Sequence, residues 1–406
     1  MTSGPTVDEP AAPWSLWALS ATVAVAFGVL LYAVSVLITE EAAGSVFSAT
    51  VLSAGYGGSL LTGGLLAPVV GRYVDRHGIG RVLMVGVVLG AGGMTAFSAA
   101  TEPWHVLVAF WLLIGPAGSM TFYEPAFVAV DQWFGTVRRA RSLAILTVVG
   151  GLAGPIFLPL TSFLLDQLGW RAAGATLASG LLIMGLVASV LVARMPFRPR
   201  RPMDSPVLSL ARDVLRDPRF VVYTLSIAAS FAAVQGLLLH RIARFEAAGF
   251  LVATAAAGAA VASILSFPGR FASPYLADRV GGIRVQVVAL SLLAVSALVA
   301  IDGSQGWQLW AHFVIFGVAF GAVLPLRATV MSDWYSGPNL GRIMGTQWLV
   351  ASLAGAGGPA VVGLLRDSSA GYALPMTVVT GILVLSAVLA AVSGRLSGKA
   401  LDPHVT

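Results

Sequence analysis

The sequence predicts an all-α membrane protein of twelve transmembrane helices, arranged as two pseudo-symmetric six-helix bundles. Three observations carry this expectation. Hydrophobic residues make up 57% of the 406 positions and charged residues 10%, against about 25% charged in a soluble domain. The apolar residues gather into twelve runs, each close to the ~20 residues that a helix needs to cross a bilayer. A charged turn between two of those runs, GRYVDRHGIGR at Gly71 to Arg81, returns as PYLADRVGGIR at Pro274 to Arg284. Asp75 and Asp278 are 203 positions apart, half the chain, so the two halves read as copies of one unit.

In order, the runs of the first half are 16–38, 47–70, 81–100, 105–131, 142–165 and 172–194; those of the second are 219–240, 250–276, 285–301, 307–332, 343–365 and 373–393. The chain thus divides into a tail at 1–15, a first bundle at 16–194, a polar linker at 195–218, a second bundle at 219–393 and a tail at 394–406. Within the linker, Val207 to Arg216 reads either as an amphipathic helix on the membrane surface or as a solvated tether. Residues 1–13 have no basic stretch, so no cleaved signal peptide is expected. With the N-terminus inside, eighteen Arg and Lys fall in inner loops, linker and tail. Four (Arg171, Arg241, Arg244 and Arg366) fall in outer loops. That asymmetry predicts a multi-pass protein of the inner (plasma) membrane with both termini cytoplasmic.

The repeat extends beyond its charged turn. Trp133-Phe134 with Arg141 returns as Trp334-Tyr335 with Arg342, Gly154-Pro155 as Gly358-Pro359, and Asp131 as Asp333. The paired turns resemble the signature loops between helices 2 and 3 and between helices 8 and 9 of the major facilitator superfamily, with Pro274 standing where the first copy has Gly71. The resemblance covers most of the chain. It implies a secondary transporter working by alternating access. It also implies that Gly71, Asp75, Arg76, Gly78 and Arg81, with Asp278, Arg279 and Arg284, latch the inner gate, joined by Asp131 and Asp333. The alternative for the Arg is that they only set topology.

Inside the spans, ionisable groups are costly and mark function. Arg270 lies eight residues before Asp278, ~12 Å up from the loop. A guanidinium facing a cavity grips a carboxylate with two parallel hydrogen bonds; the alternative is pairing with a buried acid. Arg270, Pro274 and Asp278 are similar to the helix 8 pattern of monocarboxylate porters and oxalate:formate antiporters, which implies an Arg that binds the substrate anion. The porters' acid one turn earlier is Ser266 here. The oxalate antiporter's helix 11 Lys is missing, Lys399 being the only Lys, which favours a monoanion over a dianion. Glu124 is the only acid deep in a span. It reads as a proton-coupling site, as a structural partner of Arg270 or Arg327, or as a rim residue. Pro125 after it disturbs the helix. Arg327 lines the pathway or snorkels to the interface. Tyr32, Tyr123, Gln235 and Gln347 are candidate polar contacts for cargo. His240 and His312, near outer helix ends, read as interfacial.

Several classes are excluded. There is no Cys, hence no disulfide or thiolate chemistry. There is no G-x-x-x-x-G-K-[ST] loop for an ATP-driven pump. No metal or nucleophile constellation appears, so neither an enzyme nor a cofactor is expected. The Arg excess lies in short loops, as topology requires, and does not suggest nucleic acid. The function expected is secondary active transport of a small organic anion, a monocarboxylate, coupled to H+ or a counter-anion, by a monomer. The alternative is proton-coupled efflux of drugs or lipophilic metabolites. Gly150-x-x-x-Gly154-Pro155 resembles part of the antiporter motif of such exporters, without its trailing Gly pair. A membrane receptor or scaffold is a third reading.

Overall fold

The computed structural model describes residues 13–134, 136–195, 215–335 and 340–400, and these are helices joined by short turns, with no strand among them. The first half contains α1 (Trp14–Leu37), α2 (Ala49–His77), α3 (Gly80–Ser98) and α4 (Pro103–Val130). Next, α5 begins at Thr136, steps at Leu152 and ends at Gly169, from which α6 runs to Ala193. The second half contains α7 (Pro218–Glu246), α8 (Val252–Val280), α9 (Gly282–Asp302), α10 (Gly306–Trp334), α11 (Leu340–Ser369) and α12 (Ala373–Ala400).

Ten stretches among the described residues are long and apolar enough to cross a membrane. One of them, Ile145–Ala193, is 49 residues long, far beyond one span, and holds α5 and α6. They meet at Gly169, whose φ of 72° and ψ of 163° suit only glycine. The remaining crossing, α2, is absent from the ten because its first half, ATVLSAGYGGSLLTGG, is built of small and polar residues. Those residues face α11 of the other half.

Local chemistry explains the charged repeat. Gly78 ends α2 with φ 78° and Gly281 ends α8 with φ 94°. Each donates its N–H back to a carbonyl one turn earlier, Val74 at 2.9 Å and Ala277 at 2.8 Å. The motif glycine is therefore the left-handed helix terminator. Two arginines cap helices through the opposite charge logic. Arg171 donates to the Ser98 and Ala100 carbonyls at the end of α3, both at 2.8 Å. Arg244 donates to the carbonyls of Ala300, Ile301 and Asp302 at the end of α9.

Arg244 and Arg241 correct the sequence expectation. Both were expected in an outer loop, but α7 continues to Glu246, so they are helix residues, 5% and 2% exposed. Nothing between 219 and 246 breaks a helix; the first positive φ comes at Gly249. His240 and His312 are likewise fully buried, not interfacial.

The halves meet along α2 with α11 and α5 with α8. Among the described residues their polar contacts cluster at the end away from the chain termini. His240 bonds Ser53 of α2 at 2.7 Å and Tyr372 at 3.1 Å. The Glu246 carboxylate accepts the N–H groups of Glu40 and Glu41, both at 2.8 Å. Asp367 accepts those of Ala49 and Thr50 at the start of α2, a cap supplied by the other half. Arg366 pairs with Glu40. Deeper in, Gly57 lies against the Ala356 carbonyl, so the α2 and α11 backbones touch. Gly64 and Gly71, one and two heptads further along the same face of α2, have nothing within 4 Å. The two helices diverge toward the end that carries the termini. Among the described residues, the halves are tied at one end, and α2 and α11 part toward the other.

Candidate functional site

Directly beneath the seal, a small cavity between the halves, ≈ 10 Å³ in this conformation and so roomy enough for about one water, is lined by Tyr32 of α1, Gly151 of α5, Leu238 and Arg241 of α7, and Ala262, Ser263, Ser266 and Arg270 of α8, with Phe316 and Phe320 of α10. Tyr32 ends a π-helical stretch, Gly28–Tyr32. Such bulges shift a side chain's register and recur at functional sites. Arg270 lies 5.9 Å over the Phe267 ring and has no ion pair with any described residue. Tyr32 stands within electrostatic reach of both Arg241 and Arg270.

Arg241 is the residue that the sequence reading missed. It is 2% exposed, its Nε has no hydrogen-bond partner, and it lies over Phe316 and Phe313 at 5.2 and 5.7 Å. The missed signal was the uninterrupted helical pattern up to Glu246, which carries Arg241 one turn and more into the span.

The other expected cargo contacts separate into two groups. Tyr123 stays near the cavity, within electrostatic reach of Tyr32 and Arg270, and its hydroxyl donates to the Thr147 carbonyl at 3.3 Å. Gln235, Gln347 and Arg327 do not line the cavity. Gln235, 6% exposed, packs toward Gly355 within the second half. Arg327 is 8% exposed, donates to Gln347 Oε1 at 2.8 Å and to the Met344 carbonyl at 3.1 Å, and stacks on Trp348. That is a tie between α10 and α11.

Glu124 sits at a true break in its helix. Phe122 has extended backbone, and a new helix starts at Tyr123, so Glu124 lies in the first turn of Tyr123–Trp133. The cause is Pro125, which would clash with the Thr121 carbonyl in a continuous helix. The break leaves a carboxylate at a helix N-terminus within the span, where the helix dipole favours negative charge. Its side chain keeps accessible surface but lies deep among protein atoms, and no ion pair joins it to Arg270 or Arg327.

Around the charged loops, the side chains of Asp75 and Asp131 lie outside the described set, as does most of Val207 to Arg216. Arg76 and Arg81 are exposed. Arg279 bonds and stacks on Tyr275 of its own helix, and Arg284 reaches the Val280 carbonyl. Asp278 and Asp333 are electrostatic neighbours, both exposed, near Gly282.

Twelve helices in two bundles around a central charged cavity define a membrane transporter. The sequence profile of the Major Facilitator Superfamily matches residues 16–322, and the chain belongs to that family. Among curated proteins it is similar to Monocarboxylate transporter 13 of Bos taurus, 27% identical over 78% of this chain and 74% of that one. It is also similar to the Fujikurins efflux protein of Gibberella fujikuroi, 25% identical over 79% of this chain and 68% of that one. Among solved structures, a bacterial homolog of the human lysosomal transporter Spinster, in an inward-facing and occupied conformation, superposes with a TM-score of 0.77 at 17% identity. That match covers 95% of this chain and 97% of the other.

Proposed function

We propose that this protein is a secondary active transporter of a small organic carboxylate, driven by coupling to H+ or to a counter-anion. It works by rocking of one bundle against the other around the cavity that holds Arg270. The observation that carries the reading is a guanidinium in a cavity between the halves with no acid paired to it among the described residues. A charge held there needs a visiting anion. A monocarboxylate is the simplest such cargo, and the name of the Bos taurus relative supports that class.

In this reading Glu124 takes up and releases the coupling proton, and the inner loops with Asp75, Arg76, Arg81, Asp278 and Asp333 latch the opposite gate at the cytoplasmic face. The closed end then faces outward, so the conformation described is open toward the cytoplasm.

Efflux of lipophilic metabolites is the second reading, supported by the similarity to the fungal efflux protein and by the phenylalanines of the cavity. Uptake into proteoliposomes under an imposed pH gradient separates them. Labelled pyruvate accumulates through the wild-type protein and fails to do so through Arg270→Lys of equal folded yield. Transport of a lipophilic dye that is indifferent to Arg270→Lys contradicts the carboxylate reading and favours efflux.

A further inference from the structure

The carboxylate reading uses one guanidinium, and the cavity has two. Arg241 and Arg270 line the same space from α7 and α8. Arg241 is the more buried, 2% exposed, with an Nε that nothing in the described protein satisfies. The titratable groups within its reach are Tyr32, Tyr56 and His312, and none is a carboxylate. The stacked Phe316 and Phe313 rings offset only part of the cost of holding a cation out of water. Elsewhere this chain satisfies a buried arginine from its own backbone, as with Arg244, 5% exposed. Arg241 is left open on the side of the cavity.

We propose that Arg241 is a second anion-binding arm and that the cargo carries two acidic groups, one for each guanidinium, as a short dicarboxylate does. This rests on the carboxylate reading above. The sequence favoured a monoanion because only Arg270 was counted as deep; with Arg241 in the helix, the cavity carries two positive charges. Each guanidinium offers a planar fork to one carboxylate. Tyr32 lines the same cavity within electrostatic reach of both arginines and offers a hydroxyl donor to either acid group. The site must widen to admit either acid, and a monocarboxylate pairs one guanidinium and leaves the other unpaired, so it binds more weakly.

Isothermal titration of the full-length detergent-solubilised protein tests this, in chloride-free zwitterionic buffer, with propionate against malonate, succinate and glutarate. At least one diacid binds about tenfold or more tighter than propionate, the scale of one added charge-assisted contact. Arg241→Gln brings that ratio close to one. Arg241→Lys, which keeps the charge but not the fork, falls between, and it serves if the Gln variant does not fold. Equal affinity for propionate and every diacid overturns the proposal, as does a diacid preference that survives Arg241→Gln. Chloride that tightens propionate to the diacid level also overturns it, because the second charge is then met by an inorganic anion. If no acid binds in an Arg270-dependent way, the carboxylate reading itself fails and this proposal with it.

Discussion

Three arginines in similar apolar surroundings have different fates, and the difference is in their partners. Arg244 is spent on the last carbonyls of α9, Arg327 on Gln347 and Met344, while Arg270 meets no acid. Substitutions should separate them. Arg244→Met strips a buried cap of several charge-assisted bonds and should cost about 3 kcal/mol, read as a lower Tm with the cargo's affinity for folded protein intact. Arg270→Lys should leave Tm nearly unchanged and weaken carboxylate binding about tenfold to a hundredfold, because an ammonium does not reproduce the fork. Glu124→Gln should abolish the pH-gradient dependence of uptake while exchange of cargo for cargo persists, if the carboxylate carries the proton. Loss of exchange together with net uptake would show that Glu124 is needed for the fold or the site instead.

At the scale of elements, much of the design is legible because it is local. The recurrence of Gly78 at Gly281 reports two left-handed helix ends, and Glu124-Pro125 announces the break that the Phe122 backbone makes. The end of α7 is legible only from the lack of a turn residue before Gly249, because a buried arginine and a loop arginine look alike in composition. That boundary hid Arg241, and with it half of the cavity's charge. The tie of Arg327 to Gln347 was hidden for another reason: pairing between α10 and α11 depends on packing that no spacing encodes. The inner ends of α8 and α10 offer a pH test. Partial loss of surrounding water, and then the neighbouring Asp278 carboxylate, hold the mostly exposed Asp333 carboxyl above the usual carboxylate range. Its folded-state pKa exceeds the unfolded one, so its contribution to stability is full below about pH 4 and is lost as pH rises through the raised value. Asp333→Asn should therefore gain in Tm over the wild type between pH 4 and pH 7; a constant difference across that range would mean that folding does not raise the Asp333 carboxyl.

At the scale of the whole molecule, the two bundles are joined at one end by Ser53–His240, Glu40–Arg366 and the acids that cap backbone N–H groups, and they part toward the other. The absence of cysteine makes this testable without background. A single Cys at Gly64, on the open face of α2, should react with a membrane-impermeant thiol reagent added on the side that carries the chain termini, and one at Ser53 should be protected. Arg366→Glu sets Glu40, Glu246 and Asp367 against a fourth acid and should expose the Ser53 position. Protection that persists would mean that apolar packing alone keeps that end shut. The account as a whole depends on a carboxylate meeting Arg270 between the halves. Counterflow addresses this most directly: proteoliposomes loaded with unlabelled pyruvate or succinate are diluted into the labelled acid. The account predicts transient accumulation of label by the wild-type protein and none by Arg270→Lys; equal accumulation by both would contradict it.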